Sequence, residues 1–157
     1  MGDSFEQVAT AYHEAGHAVV ALALGRPIHR VSILPKQMYL GRCEFAPGKL
    51  RAAADPIEQE ILISLAGLAA EAKYTGAYDR LAASRDLRVV RKLALGRASE
   101  RAVERYERRM LAKAEYLLAD EANWRAVESI AAELLKLGIL RGRAALHFFE
   151  RAQSQSP

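Results

Sequence analysis

Two histidines and a glutamate near the amino terminus are spaced in a way that could support chemistry. His13, Glu14 and His17 form the pattern H-E-x-x-H. Residues four apart on an α-helix differ by about 40° around the helix axis and about 6 Å along it, so both imidazoles would project from one face. Two imidazoles in that arrangement can share one Zn²⁺ ion. The spacing therefore predicts a metal site, provided that the segment is helical.

Glu14 lies at the flank of the same face, where it could reach a water molecule more easily than join the ligands. Zinc lowers the pKa of a water that it binds to about 7, and Glu14 could take the proton of that water as a general base. The hydroxide would then attack a peptide carbonyl. This pattern predicts a zinc-dependent peptidase, and the competing interpretation is a pair of histidines that share a helical face without a metal.

A catalytic zinc ion also needs a third protein ligand and an open position. The candidates are the other two histidines, His29 and His147, and the carboxylates of the chain. Spacing alone does not choose between them.

The helix that must position the motif has clear limits in the sequence. Ser4 and Gln7 have the spacing of a capping box, and an apolar stripe of helical period follows. Gly25 and Pro27 then end the pattern. We therefore predict a helix over residues 5–24.

A mainly α fold with one short β-hairpin near this helix is predicted for the rest of the chain. The two strands are expected over residues 28–34 and 39–45, where apolar residues alternate between turn signals. Further helices are predicted over residues 57–74, 85–95, 98–119, 123–137 and 142–151. Ser84 is predicted to cap the helix that starts at residue 85.

Composition favours one globular domain over residues 1–157, with a flexible tail at about 153–157. The chain is 51% hydrophobic and 27% charged, with a net charge of +4, which excludes a disordered chain. Cys43 is the only cysteine, so an intrachain disulfide and a cysteine-cluster zinc site are excluded. No signal peptide and no membrane segment are apparent, and a cytoplasmic protein is expected.

The motif and several later segments resemble a known family. Residues 11–20, AYHEAGHAVV, are similar to the zinc-site helix of the FtsH-type membrane proteases. In the same order as in that family follow IHRVSILP at 28–35, YLGRC at 39–43, LAGLAAE at 65–71 and ASRDL at 83–87. The closing helices near residues 130–149 are also similar.

This resemblance implies a role for individual residues. It makes His13 and His17 zinc ligands, Glu14 the catalytic acid and base, and Asp86 the third ligand. Glu71 is the runner-up ligand, or a partner that orients a histidine. Independently of the resemblance, we predict that the strand at 39–45 is an exposed edge beside the zinc. An extended substrate could add to it through backbone hydrogen bonds, at Tyr39, Leu40, Gly41, Arg42 and Cys43.

The resemblance implies one Zn²⁺ per chain and an endopeptidase that acts on unfolded or loosely folded polypeptides. FtsH-type proteases carry an AAA+ ATPase and a membrane anchor, which we do not find in these 157 residues. A homo-oligomer and a separate ATPase acting in trans both remain open. The alternative is a zinc-binding but non-proteolytic regulatory module of the same family.

Nucleic-acid binding is not expected, although several basic residues follow one another between residues 85 and 97. They lack aromatic stacking partners and a known docking motif, so a solvated helix face explains them. These residues are Arg85, Arg88, Arg91, Lys92 and Arg97.

Overall fold

The computed structural model describes residues 2–35, 42–45 and 55–155. The helices are α1 Phe5–Ala23, α2 Pro56–Thr75, α3 Ser84–Ala94, α4 Val103–Ala119, α5 Glu121–Leu137 and α6 Gly142–Ser154. The strands are β1 Ile28–Ser32, β2 Arg42–Phe45 and β3 Ile139–Arg141. The predicted mainly α fold with a small sheet is confirmed.

The first helix begins as the sequence predicts. The Oγ atom of Ser4 accepts a hydrogen bond from the backbone N–H of Gln7, and the Ser4 N–H donates to the Gln7 side chain in return. The chain leaves α1 through Gly25, whose φ of 83° is in the left-handed region that glycine adopts without strain. Between these ends α1 is buried almost continuously from Ala11 to Ala21, so it lies in the core.

The second helix is the other central element of the core. Pro56 occupies its first turn, and the Asp55 side chain accepts hydrogen bonds from two backbone N–H groups of that turn. The run from Ile61 to Glu71 is buried on all sides. Because the middle of α1 and the middle of α2 are both buried, their side chains pack against each other in the interior.

The two central helices cross in close contact. A Cβ atom added to Gly16 would lie 2.5 Å from the Cβ of Ala70 and 2.6 Å from the carbonyl oxygen of Ala66. Those distances leave no room for a side chain at this point of α1. The small residues therefore let the backbones of α1 and α2 approach each other at the level of the H-E-x-x-H motif.

The sheet has three antiparallel strands in the order β2-β1-β3. Val31 of β1 lies opposite Cys43 on one side and Leu140 on the other. The sequence interpretation included β1 and β2 but not β3. A segment of three residues between two helices is too short to show the alternation of apolar and polar residues that predicts a strand. In the structure only its middle residue, Leu140, is buried.

Several helices begin one to five residues away from the predicted start, and the differences at α3 and α4 have clear causes. The residue that precedes α3 is Ala83, which makes no side-chain cap, and Ser84 is the first helical residue instead of the cap. The fourth helix begins at Val103, five residues later than predicted, because the N–H of Ala102 donates to the carbonyl of Ser99 in a tight turn. Both differences concern the ends of helices, whose exact boundary residue is poorly defined by sequence patterns.

Candidate metal centre

His13 and His17 lie side by side on the buried face of α1. Each residue is only 7% exposed, and the ring centroids are 4.8 Å apart with the planes at 80°. The four-residue spacing on a helix explains why the rings are adjacent. Packing of α1 on α2 explains why they are buried. The motif therefore presents two imidazoles together in the interior.

The carboxylate of Asp86 reaches both rings from α3. Its Oδ2 atom lies 2.9 Å from the Nε2 atom of His13 and 3.2 Å from the Nε2 atom of His17. Asp86 is in the first turn of α3, where the helix dipole favours a carboxylate. One carboxylate oxygen thus faces two ring nitrogens, and these three atoms, each of which could bind a metal, converge on one point.

The opposite ring nitrogens have partners of their own. The Nδ1–H of His17 donates to the backbone carbonyl oxygen of Ile63 at 2.7 Å. The Nδ1 atom of His13 lies 3.5 Å from the carboxylate of Glu71, which is itself buried. Such partners hold a histidine ring in orientation and keep hydrogen on Nδ1, which leaves Nε2 to bind a metal. Both rings are therefore oriented with Nε2 toward Asp86.

The pKa values of His13, His17 and Asp86 depend on one another because the three side chains are in contact. Burial alone would lower the pKa of His13, but hydrogen bonding to Asp86 and Glu71 outweighs it and raises that pKa to about 10. Burial also opposes charge on His17, and Asp86 raises its pKa nonetheless. Burial would raise the pKa of Asp86, yet the two imidazoles hold it well below its usual range. A positive charge is thus strongly favoured where the three side chains meet.

Glu14 is the third buried member of the motif. It is 6% exposed, and its carboxylate and the ligand atoms of His13 and His17 lie within 4.8 Å of one another. Burial raises the pKa of Glu14, and the neighbouring imidazoles oppose that effect. A carboxylate with a raised pKa accepts a proton more readily, which suits a general base.

The donor set fits zinc. Two imidazole nitrogens and a carboxylate oxygen are the protein ligands of a common class of catalytic zinc site, which keeps a further position open. The other two candidates from the sequence are elsewhere: His29 and His147 are both exposed. Of the residues implied by the resemblance, Asp86 faces the Nε2 atoms, whereas Glu71 faces the far side of one ring.

The residues predicted to bind substrate are only partly described. Tyr39, Leu40 and Gly41 lie outside the described residues, while Arg42 and Cys43 begin β2. In the described part of the sheet β2 pairs with β1 alone and forms an edge. Burial raises the pKa of the Cys43 thiol well above its usual value, and the negative charge of Glu14 raises it further. Cys43 is thus within electrostatic reach of the motif.

Two residues of the site were not predicted from the sequence. Ile63 contributes a backbone oxygen, which no side-chain pattern reveals. Gly67 lies against both rings: a Cβ atom there would be 2.5 Å from the Nε2 of His17 and 2.6 Å from the Nε2 of His13. A glycine inside an otherwise apolar helix was the available signal, because it usually has a packing or functional reason.

Comparison with known proteins concerns the same part of the chain. Residues 2–101, which are more than half of the chain and include every residue of the site, match the family model described as Peptidase family M41. The chain belongs to peptidase family M41. The resemblance to FtsH-type peptidase domains, first drawn from short motifs, is thereby confirmed.

Curated proteins are similar to part of this chain. A protein of Magnetococcus marinus is 44% identical over 70 residues, and one of Cupriavidus metallidurans is 42% identical over 76 residues. A protein of Protochlamydia amoebophila is 36% identical over 78 residues. All three are named ATP-dependent zinc metalloprotease FtsH.

The shared part is a small fraction of those relatives. The alignments cover 42–47% of this M41 chain and 8–12% of the length of the three relatives.

Among the described residues of this M41 chain, none of the helices has the length and apolar character needed to cross a bilayer.

Proposed function

We propose that this chain is a zinc-dependent endopeptidase that hydrolyses peptide bonds in unfolded or loosely folded polypeptides. One observation carries the proposal. A single oxygen of Asp86 lies within hydrogen-bond distance of the Nε2 atoms of both His13 and His17. Three ligand atoms that converge in this way from α1 and α3 of an M41 peptidase are suited to hold one metal ion.

In this proposal His13, His17 and Asp86 hold the zinc ion. Bound zinc supplies Lewis-acid chemistry, by which it polarises a peptide carbonyl and makes water more acidic. Ile63 and Glu71 orient the two imidazoles through their Nδ1 atoms. The site therefore needs both the three ligands and the two groups that hold the rings in place.

In this proposal Glu14 acts first as the general base and then as the general acid. Its buried carboxylate removes a proton from the attacking water as the water oxygen bonds to the peptide carbon. When the carbon–nitrogen bond breaks, the protonated Glu14 returns that proton to the departing amine. The burial that raises the pKa of Glu14 supports this role, because the carboxyl group can then exist in both protonation states during a turnover.

The proposed substrate lies along β2. An extended peptide can add to a free sheet edge through backbone hydrogen bonds, which recognise any sequence in an extended conformation. The described part of β2 is such an edge, and Cys43 within it is in electrostatic reach of Glu14. Pairing through the backbone explains why an unfolded polypeptide would be the preferred substrate.

A comparison of Glu14→Gln with the wild-type chain tests the proposal. We expect the variant to retain zinc and to cleave a casein-like flexible protein about 10²–10⁴-fold more slowly, which is the usual contribution of a general base. Glu150→Gln, at an exposed position on α6, is the matched control and should cleave normally.

Two results would contradict the proposal. Equal cleavage by the wild type and by Glu14→Gln would show that this residue is not the base. A wild-type chain that holds zinc but cleaves no flexible substrate would instead support the non-proteolytic binding module.

A further inference from the structure

We infer that Gly67 is a positioning residue for the metal centre, because its missing side chain leaves the room in which the two imidazoles present Nε2 to a metal. The inference rests on the metal site proposed above and concerns a residue outside the ligand set. Its basis is a close contact between α2 and the rings of α1.

The contact involves the ligand atoms themselves. A Cβ atom on Gly67 would lie 2.5 Å from the Nε2 of His17, 2.6 Å from the Nε2 of His13 and 2.7 Å from the Cδ2 of His13. Real Cβ atoms essentially never come this close to another heavy atom. Even one methyl group at position 67 would therefore displace both nitrogens that face Asp86.

The absence of a side chain at Gly67 also leaves room for the hydrogen bond between His17 and the carbonyl oxygen of Ile63. Helix geometry pairs the N–H of Gly67 with the carbonyl of Ile63, and that carbonyl also accepts the Nδ1–H of His17. A helical side chain leans toward the amino terminus and covers the preceding turn. A side chain at 67 would thus extend over the carbonyl that His17 uses, and would disturb the ring at both nitrogens.

Gly16 provides the contrast. A Cβ atom there would meet the backbone oxygen of Ala66 at 2.6 Å, so the cost of a side chain would fall on the packing of the two helices. At Gly67 the clash is with the ends of side chains, which can rotate away. Alanine at 67 is therefore expected to leave the protein folded and to move the ligands.

Zinc binding by Gly67→Ala is the first measurement. In competition with a chromophoric chelator, we expect the affinity of this variant for zinc to fall by at least about 10–100-fold, the loss typical of disturbing the groups around metal ligands. Substitution by Co²⁺ should also give a changed visible absorption spectrum, which reports the coordination geometry. Wild-type zinc affinity together with an unchanged cobalt spectrum would overturn the inference.

A thermal-unfolding cycle on the metal-free protein is the second measurement. Alanine favours a helix interior over glycine, so Gly67→Ala should raise Tm in the His13→Ala/His17→Ala background, where the rings are gone. In the background with both histidines the gain should be absent or reversed. Should Gly67→Ala alone fail to fold, restored folding in the double-alanine background would equally support the inference.

Gly16→Ala is the matched control for this cycle and should lower Tm in both backgrounds. Equal gains from Gly67→Ala in both backgrounds would show that residue 67 does not accommodate the rings, and would overturn the inference. The cycle also separates the two proposals. A wild-type chain without zinc affinity contradicts the metal site, while the cycle still reports directly on the contact between Gly67 and the imidazoles.

Discussion

The Oδ2 atom of Asp86 lies 2.9 Å from the Nε2 atom of His13, although 73 residues separate the two in the chain. The first turn of α3 and the middle of α1 are brought together for this contact. The same oxygen reaches His17 at 3.2 Å. Two helices therefore contribute to one set of candidate metal-ligand atoms.

The purified chain should bind about one zinc ion, and His13→Ala/His17→Ala should abolish binding because two of three ligands are lost. Metal content by mass spectrometry after dialysis measures this. The chain offers a matched control in its other two histidines, both exposed. His29→Ala/His147→Ala should keep its zinc, and full retention by the first variant would refute the ligand assignment.

Asp86→Ala should weaken zinc binding far more than Glu71→Ala. Removing a group that only orients a ligand usually reduces affinity by 10–100-fold, and removing a ligand should reduce it further. The geometry motivates this order, since Asp86 faces both Nε2 atoms and Glu71 faces only the Nδ1 of His13. Chelator competition ranks the two variants, and the reverse ranking would make Glu71 the third ligand.

Zinc binding near pH 7 should release protons. The carboxylates of Asp86 and Glu71 raise the pKa of His13 to about 10, so the metal-free ring is protonated at neutral pH. A zinc ligand must be neutral imidazole. The observed affinity should consequently increase as pH rises from 7 toward 10. Calorimetry in buffers of different ionisation enthalpy counts the protons.

Asp86→Asn is the control for this proton release, because it removes the carboxylate that does most to raise the pKa of His13. It should release fewer protons on binding any zinc that it still takes up. An affinity independent of pH across this range would contradict the coupling.

A flexible peptide should protect β2 from hydrogen exchange. Both β2 and β3 are edges of the described sheet, so β3 serves as the internal control. With the Glu14→Gln protein and an uncleaved peptide, exchange should slow at residues 42–45 and remain unchanged at residues 139–141. Protection of β3 alone, or of neither strand, would remove β2 as the substrate edge.

The purified chain should cleave flexible polypeptides without nucleotide and leave a stable folded domain intact. In the proposed mechanism the groups of the site act on the peptide bond itself, whereas unfolding a domain requires about 5–15 kcal/mol. Cleavage of both substrates is compared with and without ATP, with Glu14→Gln as the blank. ATP-stimulated cleavage by the isolated chain would contradict this prediction.

Local signals were enough to predict the helix that carries the motif. The capping box at Ser4 and the spacing of His13 and His17 depend on neighbours within one or two turns. The approach of Asp86 is a contact between distant segments, and only the resemblance to a known family pointed to it. Ile63 was missed because its backbone oxygen is what binds, and every residue has such an oxygen.

The third strand was missed for a related reason. Its pairing partner is β1, more than a hundred residues earlier in the chain, and its own three residues have no distinctive pattern. The strand follows Gly138, whose φ of 79° directs the chain out of α5. The sequence showed that a turn occurs there but not which element the chain would meet after it.

Strand β3 lies outside the residues that match the family model, but it pairs with a strand inside them. The family match ends at residue 101, yet β3, at residues 139–141, borders β1, and α5 packs against the helix of the motif. A fragment that stopped at residue 101 would keep every proposed zinc ligand but would lose β3 beside β1 and α5 beside α1. The family match therefore covers only part of the packing around the proposed site, and a minimal fragment that keeps this site should be defined by packing instead of by similarity.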